Sequence, residues 1–257
     1  MAAVTLDLWH TLLYLPPENE EEYMDHQLEM GTETLRGSAR RPGAPDRPDS
    51  ELAAAFERAY SAAVAASAEG RTVTPADQLV NAANEVGRVP DPRRYLSMLE
   101  AEVDRTPFRR APGALDLLRR LREKGYRLVV ISNTVGEPGR FLRPVLTGMG
   151  FDAFVEGYVF SDELPWTKPS PEIFRHALGQ VGEGPENAVH VGDGWSDMEG
   201  ARRAGYRGEI LFTGLAAYGD RYRKLFLPGV PEVPDHAFRT DRLSEVGEIV
   251  ERLLPMR

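Results

Sequence analysis

The sequence predicts an α/β protein: a three-layer, Rossmann-like parallel sheet core with an inserted, mainly helical cap domain. Two observations carry that expectation. From residue 108 onward, short apolar runs alternate with amphipathic helical segments, the order that buries a parallel sheet between two layers of helices. Between 15 and 107 the alternation stops, and helices appear with no good strand among them. The core is therefore expected over 1–14 and 108–257, and the cap over 15–107.

The first strand is VTLDLW (4–9), a short apolar run ending in polar residues, as a buried parallel strand does. Residues 20–36 read as a helix whose acidic first turn, Glu20-Glu21-Glu22, suits the positive end of the helix dipole. The stretch 37–48, rich in Gly, Pro and Arg, is a loop. A second helix over 50–70 opens on a Ser50 cap and closes at Gly70. Its stripe of Ala54, Ala55, Ala59, Ala62, Ala63 and Ala66 permits close helix packing. Helices over 75–86 and 92–104 follow. In the core, 114–125 is a helix started near Pro112 and ended at Gly125. RLVVIS (127–132) is a strand rich in β-branched residues. Further helices are expected at 138–149, 170–181, 196–204 and 242–254, and further strands at 157–161, 188–193, 208–213 and 235–240. Residues 214–234 are irregular; their Tyr218, Tyr222 and Phe226 read either as a homodimer contact or as packing on the core.

Apolar residues make up 42% and charged residues 28% of the 257, ordinary for a globular chain long enough to bury a sizeable core. The balance of 40 acidic and 31 basic residues gives a formal charge of −9, which repels phosphate backbones. The arginine pairs at 40–41, 109–110, 119–120 and 202–203 are short, and most have acidic residues nearby, so nucleic acid is not an expected partner. The absence of cysteine removes disulfides, thiolate metal sites and cysteine nucleophiles. The opening MAAVTLDLWHTLLYL is too short to span a membrane and lacks a basic leader region, and no later run stays apolar for about 18 residues. No membrane partner is expected, and the default location is cytoplasmic.

In open parallel sheets, ligands bind beyond the carboxyl ends of the strands. Asp7, Ser132 and Asp193 stand at or near such ends, Lys168 lies in a loop before a helix, and Asp197 follows Asp193 by four residues. Each alone has a plainer explanation: an Asp there caps a helix, Ser132-Asn133-Thr134 is a turn, and a Lys before Pro is a solvated loop residue. Together they point to one site for a metal ion and a phosphate-like group. Several carboxylates near one point need a compensating cation, and Mg²⁺ prefers oxygen ligands. His190 reads as a buried, satisfied strand residue.

Four segments resemble, in order and spacing, the four motifs of the haloacid dehalogenase superfamily, most of whose members are phosphatases. They are Asp7-Leu8-Trp9-His10-Thr11-Leu12, VVISNT (129–134), WTKPSPEIF (166–174) and HVGDGWSDMEGARRAG (190–205). The resemblance covers 1–14 and about 108–257, and implies that 15–107 is a cap inserted after the first motif. It further implies a Mg²⁺-dependent phosphatase that acts on a small phosphorylated metabolite through an aspartyl-phosphate on Asp7. Asp7, Asp193, Asp197 and the carbonyl oxygen of Trp9 would hold Mg²⁺; Ser132 would donate to a phosphate oxygen; Lys168 would neutralise substrate charge and keep Asp7 ionised; Thr11 and Asn133 would orient these groups.

The sequence departs from the family's phosphatases at one telling place. They carry a second Asp two positions after the nucleophile, to protonate the leaving group and later activate water. Here that position is Trp9, which can do neither, and the next position, usually Gly, is His10. In one reading His10 takes over the proton transfers, or the substrate is an acyl phosphate that needs no acid. In a second, the protein is a 2-haloacid dehalogenase-like hydrolase. Those enzymes have an aromatic residue at this position, but need no metal and usually lack the acidic pair kept here as Asp193 and Asp197. In a third, it is a weakly active or non-catalytic member that binds a phosphorylated ligand. Tyr14, Tyr23, His26, Arg40 and Arg41 are candidates, by position alone, to face the substrate.

Overall fold

The computed structural model describes residues 2–216, 233 and 238–256. In chain order, its strands are β1 (Ala3–Asp7), β2 (Leu13–Tyr14), β3 (Arg109–Arg110), β4 (Arg127–Ser132), β5 (Gly157–Phe160), β6 (Ala188–Gly192), β7 (Gly208–Phe212) and β8 (Phe238–Thr240). Its helices are α1 (Pro17–Gly37), α2 (Asp49–Ala68), α3 (Pro75–Glu85), α4 (Pro92–Arg105), α5 (Ala114–Glu123), α6 (Gly139–Gly148), α7 (Pro171–Val181), α8 (Trp195–Ala204) and a last helix, α9 (Leu243–Leu253).

Six strands form a parallel sheet in the order β5-β4-β1-β6-β7-β8. Alternation along β4 explains how the sheet is covered. Leu128 and Val130 join one apolar cluster with Leu117 and Leu121 of α5 and Val246 and Val250 of α9. Val129 and Ile131 point the other way, into a cluster with Ile173, Phe174 and Leu178 of α7 and Ala201 of α8. Both faces of the sheet are therefore buried, as its near-continuous apolar strands require. Strand order reverses at β1: the chain next builds β4 and β5 on one side, then β6, β7 and β8 on the other. The carboxyl end of β1 is thus the switch point, where a crevice is expected.

Helices α1 to α4 lie between β2 and β3, which pair antiparallel. Within the block, α1 and α2 pack closely. A Cβ on Gly31 would lie 2.4 Å from the Phe56 ring, and Phe56 meets Tyr95 of α4 edge-on at 5.4 Å.

Several details differ from expectation. The first strand ends at Asp7, not Trp9, because the chain turns over residues 8–12, with Leu12 and Leu13 N–H groups donating to the Leu8 carbonyl at 2.9 and 2.8 Å. Helix α2 is entered through Pro48 and Ser50 does not cap it. Ala62 is exposed, while Ala55, Ala59, Ala63 and Ala66 are buried. The pair β2–β3 has no signature in sequence because each strand is only two residues long. Tyr218, Tyr222 and Phe226 lie outside the described residues.

Candidate active site at the end of the sheet

Asp7 is the last residue of the central strand and is almost fully buried. The turn after it places His10 at φ 58°, a left-handed backbone that histidine adopts more readily than most residues but that glycine adopts without cost. The turn returns the Thr11 hydroxyl to Asp7, where it donates to Oδ2 at 3.2 Å. His10 Nδ1 lies 3.7 Å from Asp193 Oδ2. The Trp9 indole meets Phe108 edge-on at 5.4 Å and forms part of the cavity wall.

Lys168 is the hub. Its ammonium donates to Asp7 Oδ1, to Asp197 Oδ1 at 2.6 Å and to the Ile131 carbonyl at 3.2 Å. The Asn133 side chain fixes the backbone around it, accepting from Lys168 N–H at 2.8 Å and donating to the Lys168 carbonyl at 3.0 Å. Asp197 is held from three sides: Lys168, His190 Nε2 at 3.1 Å, and the Gly194 N–H, which donates to Oδ2 at 3.1 Å. That last bond also caps α8, so Asp197 serves as helix cap and lysine anchor at once. His190 Nδ1 lies 2.8 Å from the Thr5 hydroxyl, completing a buried chain from β1 to the site.

Burial sets the electrostatics. Desolvation pushes the Asp7 carboxyl up to about 7, with the Asp197 charge adding to the rise and Lys168 opposing it. Burial also works against the charge of Asp197, but Lys168 and the His190 hydrogen bond outweigh it and hold this carboxyl below its usual range. Burial would likewise strip Lys168 of its proton, yet Asp197 and Asp7 keep its pKa above that of an ordinary lysine. Burial lowers the His190 pKa and favours the neutral ring. One carboxylate is therefore firmly ionised, one lysine firmly charged, and Asp7 depends on its surroundings.

Oxygens of Asp7, Asp193 and Asp197 all lie within 4.8 Å of one another, so these three residues could hold a metal ion. Asp193 is partly exposed, whereas both oxygens of Asp197 already accept hydrogen bonds, which suits it better to orienting Lys168. A cavity of about 810 Å³ opens onto this cluster. Asp7, Trp9, His10, Asn133, Lys168, Asp193 and Asp197 line it, while Ser132 and Thr11 are buried and are not among its lining residues. The Ser132 hydroxyl donates to the Asn133 carbonyl at 3.4 Å. Of the helical residues singled out by position, Tyr23 reaches the cavity. His26 pairs instead with Glu102 at 3.4 Å, Arg40 with Asp46 at 3.9 Å, and Arg41 donates to Asn84 at 2.5 Å. Gln27, Tyr60, Ser67, Glu137 and Trp195 also line the cavity; the first four sit in helices or a loop with no motif of their own, and Trp195 lies within the motif at 190–205 but bears no charge or metal-ligating group that would mark it.

Residues 1–205 match the family haloacid dehalogenase-like hydrolase. Among similar proteins is a phosphoglycolate phosphatase of Pseudomonas putida, 35% identical over 94 residues, which are 37% of this chain and 34% of that protein. Another is a glyceraldehyde 3-phosphate phosphatase of Methanopyrus kandleri, 30% identical over 174 residues, covering 65% of this chain and 69% of that protein. The chain thus aligns with about a third of the first relative's length and about two thirds of the second's. The fold is similar to that of a HAD phosphatase from Thermococcus onnurineus, with a TM-score of 0.61 at 19% identity over 97% of this chain and 98% of that one. No described helix is long and apolar enough to cross a membrane. With four motifs in order, a parallel sheet whose switch point carries them, and a match over residues 1–205, the chain belongs to the haloacid dehalogenase-like hydrolases.

Proposed function

We propose that the protein is a Mg²⁺-dependent phosphatase acting on a small phosphorylated metabolite, with Asp7 as nucleophile and α1 to α4 as a cap over the site. The observation that carries this reading is the meeting of Asp7, Asp193 and the doubly anchored Lys168 at the end of the central strand, facing a cavity of about 810 Å³. The names of the similar phosphatases support the same class of reaction.

The three neighbouring carboxylates fit a hard divalent cation, which prefers oxygen donors. Asp7 and Asp193 would hold it with the Trp9 carbonyl oxygen, and Asp197 more remotely. Bound there, Mg²⁺ would supply charge stabilisation to the phosphoryl oxygens. A cation beside Asp7 would also favour its ionised form. The Asp7 carboxylate attacks phosphorus, the bond to the leaving oxygen breaks, and the leaving group takes the electron pair. Water then attacks the aspartyl-phosphate, breaking its phosphorus–oxygen bond to Asp7 and releasing inorganic phosphate. Lys168 faces both the nucleophile and the incoming charge, and Asn133 holds it in place. The Asp that relatives use as acid and base is absent. His10 is on the cavity wall, its imidazole ring can both give and take a proton, and it is the residue we assign to those proton transfers.

The aromatic Trp9 favours a dehalogenase-like alternative, but a carboxylate-bearing haloacid would meet a cluster of three Asp residues. The test is hydrolysis of acetyl phosphate and of 2-chloropropionate with and without EDTA. The phosphatase reading predicts that acetyl phosphate is hydrolysed and that EDTA stops it. Haloacid turnover untouched by EDTA would replace it.

A further inference from the structure

Three charged groups on the cavity wall, Glu20, Glu137 and Arg239, have no part in the proposed chemistry. Glu137 lies in the loop after β4, four residues beyond Asn133, and its carboxylate lines the same cavity as Asp7 and Lys168. Two side chains of α1 clasp it: the Tyr23 hydroxyl donates to Oε1 at 2.6 Å and Gln27 Nε2 donates to the same oxygen at 2.7 Å. The residue is half-buried and belongs to the cavity lining. A carboxylate accepts at about four lone-pair sites. Tyr23 and Gln27 occupy two, which leaves accepting capacity on a group already fixed in place.

The position suits the far end of a small substrate. Four residues of chain reach at most about 14 Å, which bounds how far Glu137 can lie from Asn133, the residue that holds Lys168. The helical wall supplies Glu20, Tyr23, Met24, Gln27, Tyr60 and Val64, with no positive charge among them. Among the described lining residues the cationic side chains, apart from His10, are Lys168, committed to Asp7 and Asp197, and Arg239, at the edge strand β8.

We propose that Glu137 selects the substrate's leaving group: it accepts a hydrogen bond from a hydroxyl on the non-phosphate end and rejects phosphate esters that carry a second anionic group there. This rests on the phosphatase reading above and deepens it. The preferred class is a phosphate monoester of a neutral polyol. A carboxylate at the far end would face Glu137 as a like charge, and juxtaposed like charges cost enough to dominate selectivity. A site built around a buried acceptor also disfavours ligands with no donor to offer it.

The experiment compares kcat/KM for glycerol 3-phosphate, phosphoglycolate and acetyl phosphate in the native protein and in Glu137→Gln, with Mg²⁺ present. Acetyl phosphate has no group to reach Glu137 and reports the phosphoryl-transfer site alone. The native protein is expected to favour glycerol 3-phosphate over phosphoglycolate by about tenfold or more. Glu137→Gln is expected to shrink that ratio by at least about tenfold while acetyl phosphate hydrolysis stays within about threefold of native. An unchanged ratio in a variant that still hydrolyses acetyl phosphate overturns the role of Glu137 and leaves the phosphatase reading standing. Failure of the native protein on all three compounds overturns both. Should Glu137→Gln not fold, the native ratio decides: phosphoglycolate turned over as well as glycerol 3-phosphate overturns the proposal.

Discussion

The cavity has two unlike walls. On the sheet side, Asp7, Lys168 and Asp197 are buried, charged and bonded to one another, and each is placed by a strand end or by the loop that follows one. On the helical side the lining residues include Glu20, Tyr23, Met24, Gln27, Tyr60 and Val64, and two of them, Tyr23 and Gln27, clasp Glu137, which comes from the loop after β4. In the proposed reaction the difference separates two tasks. Phosphoryl transfer needs charges that do not move, and buried charges stay only when every one is paired. Recognition of a leaving group needs a surface that can vary without disturbing those charges, and a helical face carried between β2 and β3 offers that.

The largest effect is expected on the sheet side. Lys168→Met removes the ammonium that bridges Asp7 and Asp197 and leaves two buried carboxylates facing each other. Turnover should fall by about 10³-fold or more. Unpairing buried charges costs about 3–5 kcal/mol, so the urea midpoint should fall as well, and added Mg²⁺ should recover part of the stability but not the rate. A variant with native stability and native rate would show that the cluster is not the reacting site.

A smaller effect, and one that reaches both walls, is expected at Trp9. A positioned general acid contributes about 10²- to 10⁴-fold. Trp9→Asp supplies the missing carboxylate and should raise turnover of alkyl phosphates by about 10²-fold, with little change for acyl phosphates, whose leaving groups are already stable anions. Loss of the contact with Phe108 works against it, so thermal stability is measured alongside. Native turnover of alkyl phosphates that is already fast, and abolished in His10→Ala, would establish His10 as the acid.

The smallest effect is expected at Glu137, where the helical wall clasps the loop after β4. Burial raises the Glu137 carboxyl above its ordinary range, and the Tyr23 and Gln27 hydrogen bonds only partly offset this. A raised acid binds more protons in the folded state than in the unfolded, so stability falls as pH climbs from about 4.3 through the raised value. The native thermal midpoint should therefore drop more steeply over that rise than that of Glu137→Gln. Parallel curves would show that Glu137 is not perturbed.

The same contrast governs what could be read from sequence. Asp7, Lys168, Asp193 and Asp197 were legible because a parallel sheet collects its strand ends at one place, so spacing in sequence becomes proximity in space. The two explanations of Asp197 proved compatible, since its carboxylate caps α8 through Gly194 and anchors Lys168 through the other oxygen. His190 is buried and satisfied as expected, but its partner is Asp197, which ties an apparently structural residue to the site. Ser132 faces the Asn133 carbonyl, and the side chain that meets the cavity is Asn133. Glu137 and Gln27 were illegible because their meeting depends on how α1 lies across the loop after β4, and no local periodicity records that. The turn at 8–12 was also missed, because His10 adopts a backbone that its neighbours in sequence give no sign of.

Asp7 as the nucleophile is tested most directly by acid quench of the protein turning over phosphoryl-labelled acetyl phosphate, followed by peptide mapping. Label should appear on Asp7 in the presence of Mg²⁺, disappear with EDTA, and be absent from Asp7→Asn, whose turnover should be at least about 10³-fold lower. Full turnover in Asp7→Asn, or label carried by any other residue, would contradict the assignment of this strand end as the reacting site.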